Sequence, residues 1–450
     1  MINKVKGTIE YSIYEYNQKK IVLEIFEFVV KKLGFQMVEM PILEYTELFQ
    51  RTNPNSEMVK KEMFNFTDKG NRNLVLRPEG TASFIRMFVN NKWYNQNEID
   101  KFAYSGPMFR YERPQNGRYR QFYQTGVEFI GNKNPYKDAH VILTANVFLE
   151  ALFENFNIKK NKFEVLINSI GDNKTRENYQ KALKEYLIPY KDQLSELSQE
   201  RLNSGNVLRI LDDKIDSQKD FIKSAPKISE FYTAESKKYL QDVLNILDGY
   251  NIKYKISDTL VRGLDYYDEI VFEINWKDKK QELTLIGGGR YSSLISELNG
   301  PDLSSVGFGF GVDRFLEILK IFFKNDKNQI HNVPNIGYVP NALVYIFATE
   351  KQTSFEKLNE LYFGLAFAYG DEFEIIFNFD LIKTKKGFEQ AYKQKNRFVI
   401  FEDPIISNSD IVIVKNLETN EKTELNLADI DQAIVEFAEF AGLKQEILEI

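Results

Sequence analysis

Arg120-Gln121-Phe122-Tyr123-Gln124-Thr125-Gly126-Val127-Glu128 is the stretch whose reading decides the fold. Side chains alternate across a strand with a period of two. Arg120, Phe122, Gln124, Gly126 and Glu128 therefore share one face, carrying a cation, an aromatic ring, an amide and a carboxylate, while Tyr119, Tyr123 and Val127 take the other. Upstream, Met108, Arg110 and Glu112 share a face of a preceding strand, and Arg113-Pro114-Gln115-Asn116-Gly117 between them suits a hairpin loop. A merely solvated sheet would mix Lys and Glu. Two antiparallel strands across 101–131 that present a charged platform fit this row better.

Working outward, Gly287-Gly288-Gly289-Arg290-Tyr291 ends a strand, although a glycine triplet alone is more often a turn than a site. Gly307-Phe308-Gly309-Phe310-Gly311 alternates glycine with aromatic residues and leads into an apolar helix, Val312 to Phe323, with Arg314 in its first turn. Glycines there let a ligand or another backbone approach closely. Residues 17–33 read as an amphipathic helix with Ile21, Ile25 and Val29 on one stripe and Gly34 as its C-cap, followed by an extended segment through Pro41. That pair is either a plain core helix and strand or a subunit interface. Residues 160–255 are helix-rich and polar and read as an insertion, and 260–275 returns to strand character.

Asn325 to Pro340 has a linker's composition. Beyond it, strand runs at Leu343–Phe347, Glu374–Phe379, Phe398–Phe401 and Ile411–Val414 alternate with helical patterns, which is α/β. Residues 341–450 hold 11 Lys plus Arg against 20 Asp plus Glu, yet Lys383, Lys385, Lys386, Lys393, Lys395 and Arg397 crowd one stretch with Glu389 alone against them. This is either a solvated helix face or a contact for a polyanion.

Composition narrows the chemistry. A length of 450 residues argues for two to four domains. The absence of cysteine excludes disulfides, thiolate metal sites and a Cys nucleophile. Only His140 and His331 could supply imidazole, and they are too far apart for a His-rich metal site. A net charge of −6 makes any polyanion contact local rather than general. No run approaches the ~20 apolar residues of a membrane span, and Met1 to Glu10 has no apolar signal region, so the chain reads as soluble and cytoplasmic.

Three strings then carry a resemblance. Arg77-Pro78-Glu79-Gly80-Thr81, Phe109-Arg110-Tyr111-Glu112-Arg113 and Leu260-Val261-Arg262-Gly263-Leu264-Asp265-Tyr266-Tyr267 resemble the signatures of histidyl-tRNA synthetases, which are class II aminoacyl-tRNA synthetases. Gly287 to Tyr291 and Gly309 to Arg314 are similar to that family's later glycine-rich segments, in the same order. The resemblance implies an α+β fold: a class II antiparallel sheet flanked by helices over 1–325, a helical insertion at about 170–250, a linker at 326–340, and an α/β anticodon-binding domain over 341–450. It also implies a homodimer, with the 17–33 helix and the strand through Pro41 at the interface, and no membrane.

The same resemblance implies the site. Arg110 and Arg262 would grip the ATP α-phosphate from two sides and are the catalytic candidates. Phe122 and Arg314 would sandwich adenine, with Glu112 on its amino group. Glu79, Gly80, Thr81 and Gln124 would hold the histidine ammonium, and Glu128 and Tyr267 its imidazole, with Tyr266 beside them. Lys385 and Lys386 would contact tRNA(His). Magnesium would arrive with ATP, with no protein-bound metal. The sequence departs from the family pattern at Asp313 and Phe315 (usually Glu and Leu), at Ser292 (usually Asp), at Glu10 in Lys6-Gly7-Thr8-Ile9-Glu10 (usually Asp), and at Gly387 (usually Gln). The alternative reading is the regulatory paralogue that partners ATP phosphoribosyltransferase in histidine biosynthesis, which shares the core but lacks the C-terminal domain.

Overall fold

The computed structural model describes residues 2–52, 56, 58–95, 99–114, 117–158, 163–211, 213, 215–260, 266–277, 282–322, 342–349, 352–370, 372–403, 406 and 410–443. Arg262, His331 and the expected linker at 326–340 lie outside the described residues. The chain divides into two compact units, one of residues 1–26 with 37–333 and one of 27–36 with 334–450.

The chain opens with α1 (Ile13–Lys32), whose residues 27–32 belong to the second unit, then β1 (Gln36–Val38), β2 (Leu43–Tyr45), α2 (Thr46–Thr52), β3 (Phe64–Thr67), β4 (Asn73–Leu76) and α3 (Thr81–Asn90). There follow β5 (Lys101–Phe109), β6 (Gln121–Gly131), α4 (Pro135–Asn155) and β7 (Phe163–Ser169). Helices α5 (Asn173–Leu187), α6 (Glu196–Ser204), α7 (Asp220–Lys223) and α8 (Ala234–Gly249) come next. The first unit ends with β8 (Tyr254–Ile256), β9 (Asp268–Lys277), β10 (Glu282–Tyr291), α9 (Leu294–Glu297), β11 (Ser304–Gly311) and α10 (Val312–Phe322).

Among the described residues the main sheet has eight strands in the order β1-β5-β6-β11-β10-β9-β7-β8. The pairs from β5 through β7 are antiparallel, and β7–β8 is parallel. Strands β2, β4 and β3 form a separate three-stranded sheet. The platform hairpin is present, but β5 ends at Phe109, so Arg110 and Glu112 lie beyond the strand rather than on it. The helix expected at 17–33 begins earlier, at Ile13, where Glu15 accepts from the Ser12 backbone N–H and tightens the first turn. Residues 163–169, expected within a helical stretch, form β7. Val165 and Ile167 are buried there against β9, so pairing into the sheet overrides the polar character of the segments around them.

One face of the sheet is closed by α4, which is buried nearly all round. Phe310 of β11 meets Phe148 of α4 edge-to-face at 4.9 Å and Phe315 of α10 at 6.1 Å. Through this apolar layer runs one ionic contact. Arg290 at the end of β10 donates from Nε and Nη2 to Asp138 of α4, the shortest bond being 2.5 Å, and also donates to Ser304 of β11. The Tyr239 hydroxyl of α8 donates to the same carboxylate at 2.6 Å. Both charges are essentially inaccessible, at 1% and 0% exposure. Geometry this complete offsets the desolvation of both ions.

The second unit contains β12 (Ala342–Phe347), α11 (Gln352–Tyr369), β13 (Phe373–Asn378), α12 (Thr384–Lys393), β14 (Phe398–Phe401), β15 (Ile411–Asn416), β16 (Lys422–Asn426) and α13 (Ile430–Ala441). The strand order is β13-β12-β14-β15-β16, parallel at β12–β13 and β12–β14 and antiparallel beyond. Gly387 in α12 is buried, and a Cβ there would stand 2.4 Å from the Phe347 ring. That contact explains why a longer residue is absent from this position.

Replacing Arg290 by Met leaves the Asp138 carboxylate buried without its guanidinium. The expected loss is about 3–5 kcal/mol, read as a lowered urea midpoint. A loss below about 1 kcal/mol would show that the pair is dispensable.

Candidate active site

Opposite the face covered by α4, β6, β9, β10 and β11 form the floor of a cavity of about 310 Å³. Its walls come from the start of α3, the β5–β6 connection and the first turn of α10. The alternation in Gly307–Gly311 follows from the two faces. Phe308 and Phe310 turn into the core, while the glycines lie under long side chains from the neighbouring strand. A Cβ at Gly307 would come within 2.0 Å of Glu128 Oε2, and one at Gly309 within 2.1 Å of Gln124 Nε2. No larger residue fits beneath them.

One end of the cavity is anionic. Glu79 closes the N-terminus of α3, accepting from the Thr81 N–H at 2.6 Å and the Ala82 N–H at 2.8 Å. A carboxylate suits the unpaired amides of a helix start. Tyr266 donates to it at 3.5 Å. Gly80, the N-cap, has the Tyr104 ring against it. Glu128 lies deeper: Thr81 Oγ1 donates to it at 2.8 Å, the Tyr104 hydroxyl at 3.2 Å, and the Tyr291 hydroxyl donates to its other oxygen. Burial pushes the Glu128 carboxyl up to about 8, against the lowering effect of Tyr291 and Thr81. Burial also pushes Glu79 up, opposed by the Ala82 and Thr81 amides and by Arg110. Two buried carboxyls with raised pKa values favour the arrival of a cation, which would lower both and ionise Glu128.

The other end is cationic and aromatic. Arg110 donates from Nε to Pro78 O at 2.8 Å, and its guanidinium lies 5.6 Å from the Phe122 ring centroid. Glu112 stands 3.9 Å from Arg110 and 3.5 Å from Arg118. Arg314 donates from Nε to Gly117 O at 3.3 Å and from Nη1 to Thr284 O at 2.6 Å.

Among the described residues no group of three or more His, Asp and Glu side chains could hold a metal ion, and no helix is long and apolar enough to cross a membrane. Carboxylates at one end and guanidiniums at the other, Arg110 over the Phe122 ring, suit a ligand with a cationic head and a phosphate-bearing tail.

The sequence model of the histidyl-tRNA synthetase family matches residues 14–315, two-thirds of the chain. The chain belongs to the histidyl-tRNA synthetase family. The histidine–tRNA ligase of Mycoplasmopsis synoviae is 42% identical to it over 405 residues, covering 89% of this chain and 79% of that one. The enzyme of that name from Lactococcus lactis subsp. cremoris is 35% identical over 452 residues, covering 99% and 98%. Among solved structures, the histidyl-tRNA synthetase of S. aureus superposes with a TM-score of 0.58 at 28% identity, covering 96% of this chain and all of that one.

In this member of the family the cavity brings together Glu79, Thr81, Arg110, Glu112, Phe122, Gln124, Tyr266, Tyr267 and Arg314. Glu128 and Gly80 support that lining from behind rather than forming it. Arg262 lies outside the described residues, and Lys385 and Lys386 belong to the second unit. Sequence reading missed Tyr104 and Tyr291, which donate to Glu128, and Glu273 and Thr284, which face the cavity from β9 and β10. Arg77, read as part of a motif, is structural: its guanidinium donates to Met40 O at 2.7 Å and Pro107 O at 3.0 Å. At the Ser292 departure, Asp268 accepts from both the Ser292 N–H at 3.0 Å and its hydroxyl at 3.1 Å, so a second carboxylate there would meet a like charge.

The raised Glu128 carboxyl has a consequence for stability. Its folded-state preference for the proton contributes stability below the ordinary pKa near 4.5, and that stability is lost as pH rises through about 8. Glu128→Gln should remove this slope. Relative to wild type without ligand, the variant should gain about 3 kcal/mol between pH 6 and pH 9, read from unfolding midpoints at the two values. An offset that is the same at both pH values refutes the assignment.

Proposed function

We propose that this protein attaches L-histidine to tRNA(His) at the expense of ATP, through a histidyl-adenylate. The observation that carries the reading is the segregation of charge along one cavity, with Glu79 and Glu128 at one end and Arg110, Phe122 and Arg314 at the other. In the first step a carboxylate oxygen of histidine attacks the α-phosphorus, the bond to the bridging oxygen breaks, and pyrophosphate leaves. Negative charge grows on the phosphoryl oxygens, so fixed guanidiniums lower the barrier. Arg110 supplies one, and we assign the second to Arg262 on the family resemblance of its string. Phe122 and Arg314 hold adenine between two planes, with Glu112 on its amino group. In the second step a ribose hydroxyl at the tRNA terminus attacks the acyl carbon and AMP leaves.

Glu79, Thr81 and Gln124 receive the histidine ammonium at the lip of α3. Glu128, Tyr266 and Tyr267 read the imidazole. A site built to hydrogen-bond the ring nitrogens rejects isosteres that leave its polar groups unpaired by ~10⁴ or more. Magnesium comes with ATP, held mainly by phosphate oxygens and water. The catalytic domain spans 1–325 with its helical insertion at about 170–250, the linker is 326–340, and 341–450 binds the anticodon. The protein works as a cytoplasmic homodimer. Leu43, Tyr45 and Phe66 support the dimer: they lie exposed on one face of the three-stranded sheet, an apolar surface that a second subunit would cover.

ATP–pyrophosphate exchange measured with each of the twenty amino acids tests the reading. Histidine alone should support exchange, and a folded protein with none would overturn the synthetase in favour of the regulatory paralogue.

Lys385 and Lys386, exposed in the first turn of α12, contact tRNA. Reversing both charges should weaken tRNA(His) binding about tenfold or more at moderate salt and reduce the slope of log affinity against log salt by about 1–2. A slope equal to wild type removes both lysines from the contact.

A further inference from the structure

Residues 5–12, upstream of α1, have no role in the account so far. They pack across the β5–β6 connection and the first turn of α10. Gly7 O accepts from the Arg120 N–H at 2.8 Å, and Arg120 O accepts from the Arg110 N–H at 2.9 Å, which carries hydrogen bonding past the ends of β5 and β6. Gly7 has φ +88°, and a Cβ there would stand 2.9 Å from the side chains of both Arg120 and Pro114. The backbone conformation and the space both demand glycine. The Arg120 guanidinium in turn lies 3.8 Å from the Tyr111 ring centroid.

Four residues on, the Tyr11 hydroxyl donates to Asp313 Oδ1 at 2.5 Å. The other Asp313 oxygen accepts from the Tyr123 N–H at 2.6 Å, adjacent to Gln124, where the pairing of β6 with β11 stops. Lys19 Nζ lies 4.5 Å from the Tyr11 ring centroid and 3.8 Å from that of Tyr123. Burial pushes the Tyr11 hydroxyl up, and Asp313 adds to the effect, so Tyr11 keeps its proton and remains the donor. Asp313 directly precedes Arg314. One short segment thus touches both sides of the cationic end of the cavity: the Arg110 side through Arg120, and the Arg314 side through Asp313.

We propose that the segment from Val5 to Tyr11 is a strap that positions the nucleotide-binding end of the cavity, with Gly7 setting the Arg110 side and Tyr11 the Arg314 side. Gly7 and Tyr11 are positioning residues; neither lines the cavity. The proposal rests on the ATP reading of that end given above. Its physical basis is pre-organisation. A guanidinium stabilises a phosphate only if held where the charge develops, and a buried hydroxyl–carboxylate bond together with a backbone bond at each wall does that without a reacting group.

The test is histidine-dependent ATP–pyrophosphate exchange by full-length protein. Tyr11→Phe removes one hydrogen bond and keeps the ring beside Lys19. The KM for ATP should rise about five- to tenfold while the KM for histidine stays within about twofold. Gly7→Ala should give the same split. In an Asp313→Asn background, Tyr11→Phe should add less than about twofold, because both changes act through one bond. An unchanged KM for ATP, or an equal rise in both KM values, overturns the strap. If Gly7→Ala does not fold, Tyr11→Phe decides alone. A wild-type protein without exchange overturns the ATP reading and the strap with it, an outcome separate from active wild type with insensitive variants.

Discussion

A carboxyl group buried to 1% exposure in the middle of an eight-stranded sheet has to be supplied with donors, and much of this fold is arranged around that need. Glu128 takes hydroxyls from three separate elements: Thr81 at the start of α3, Tyr104 on β5 and Tyr291 at the end of β10. It also needs volume above β11, which is why Gly307 stands opposite it. Each partner is tied in its own right. Thr81 is held by the Glu79 cap, and Tyr291 follows Arg290, whose ion pair with Asp138 pins β10 to α4. Consecutive residues of one strand therefore serve opposite faces, Arg290 anchoring the core layer and Tyr291 the site.

Charge segregation along the cavity has an energetic logic. At the anionic end burial raises both carboxyls, Glu128 to about 8, so a cation arriving there favours their charged forms. At the other end Arg110, Arg118 and Arg314 have carbonyls and Glu112 as partners, which hold the guanidiniums in place at modest cost because they keep partial access to solvent. The cavity thus spans a boundary between two electrostatic environments.

The sequence makes the local parts legible. Period-two alternation in 120–128 identifies a polar face, and the Gly-Phe alternation in 307–311 identifies a strand with one crowded face. Depth is not legible. Glu128 has the same parity as Phe122 and Gln124, yet it sits behind the cavity wall, because Thr81 and Gly307, remote in sequence, decide how far below the surface it lies. Strand order is not legible either. Nothing local announces that β11 enters between β6 and β10, and β7 is hidden in a polar stretch because its apolar positions count only once β9 is beside it. Tyr104 and Tyr291 look like ordinary core aromatics until the carboxyl they serve is located.

These two modes of construction divide the molecule's sensitivity to change. The Glu128 end is fixed by strand register, and a one-residue slip of β6 would turn Phe122, Gln124 and Glu128 to the opposite face. Stability and recognition are inseparable there, since two of the hydroxyls that satisfy Glu128, those of Tyr104 and Tyr291, belong to the packed sheet. The arginine end is built from connections: Arg110 lies past the last residue of β5, Arg314 in the first turn of α10, and Gly117 in the loop between β5 and β6. Loops tolerate change because few core contacts depend on them. Carbonyls hold the guanidiniums there, and the bonds from Gly7 to Arg120 and from Tyr11 to Asp313 brace the same connections from outside the sheet.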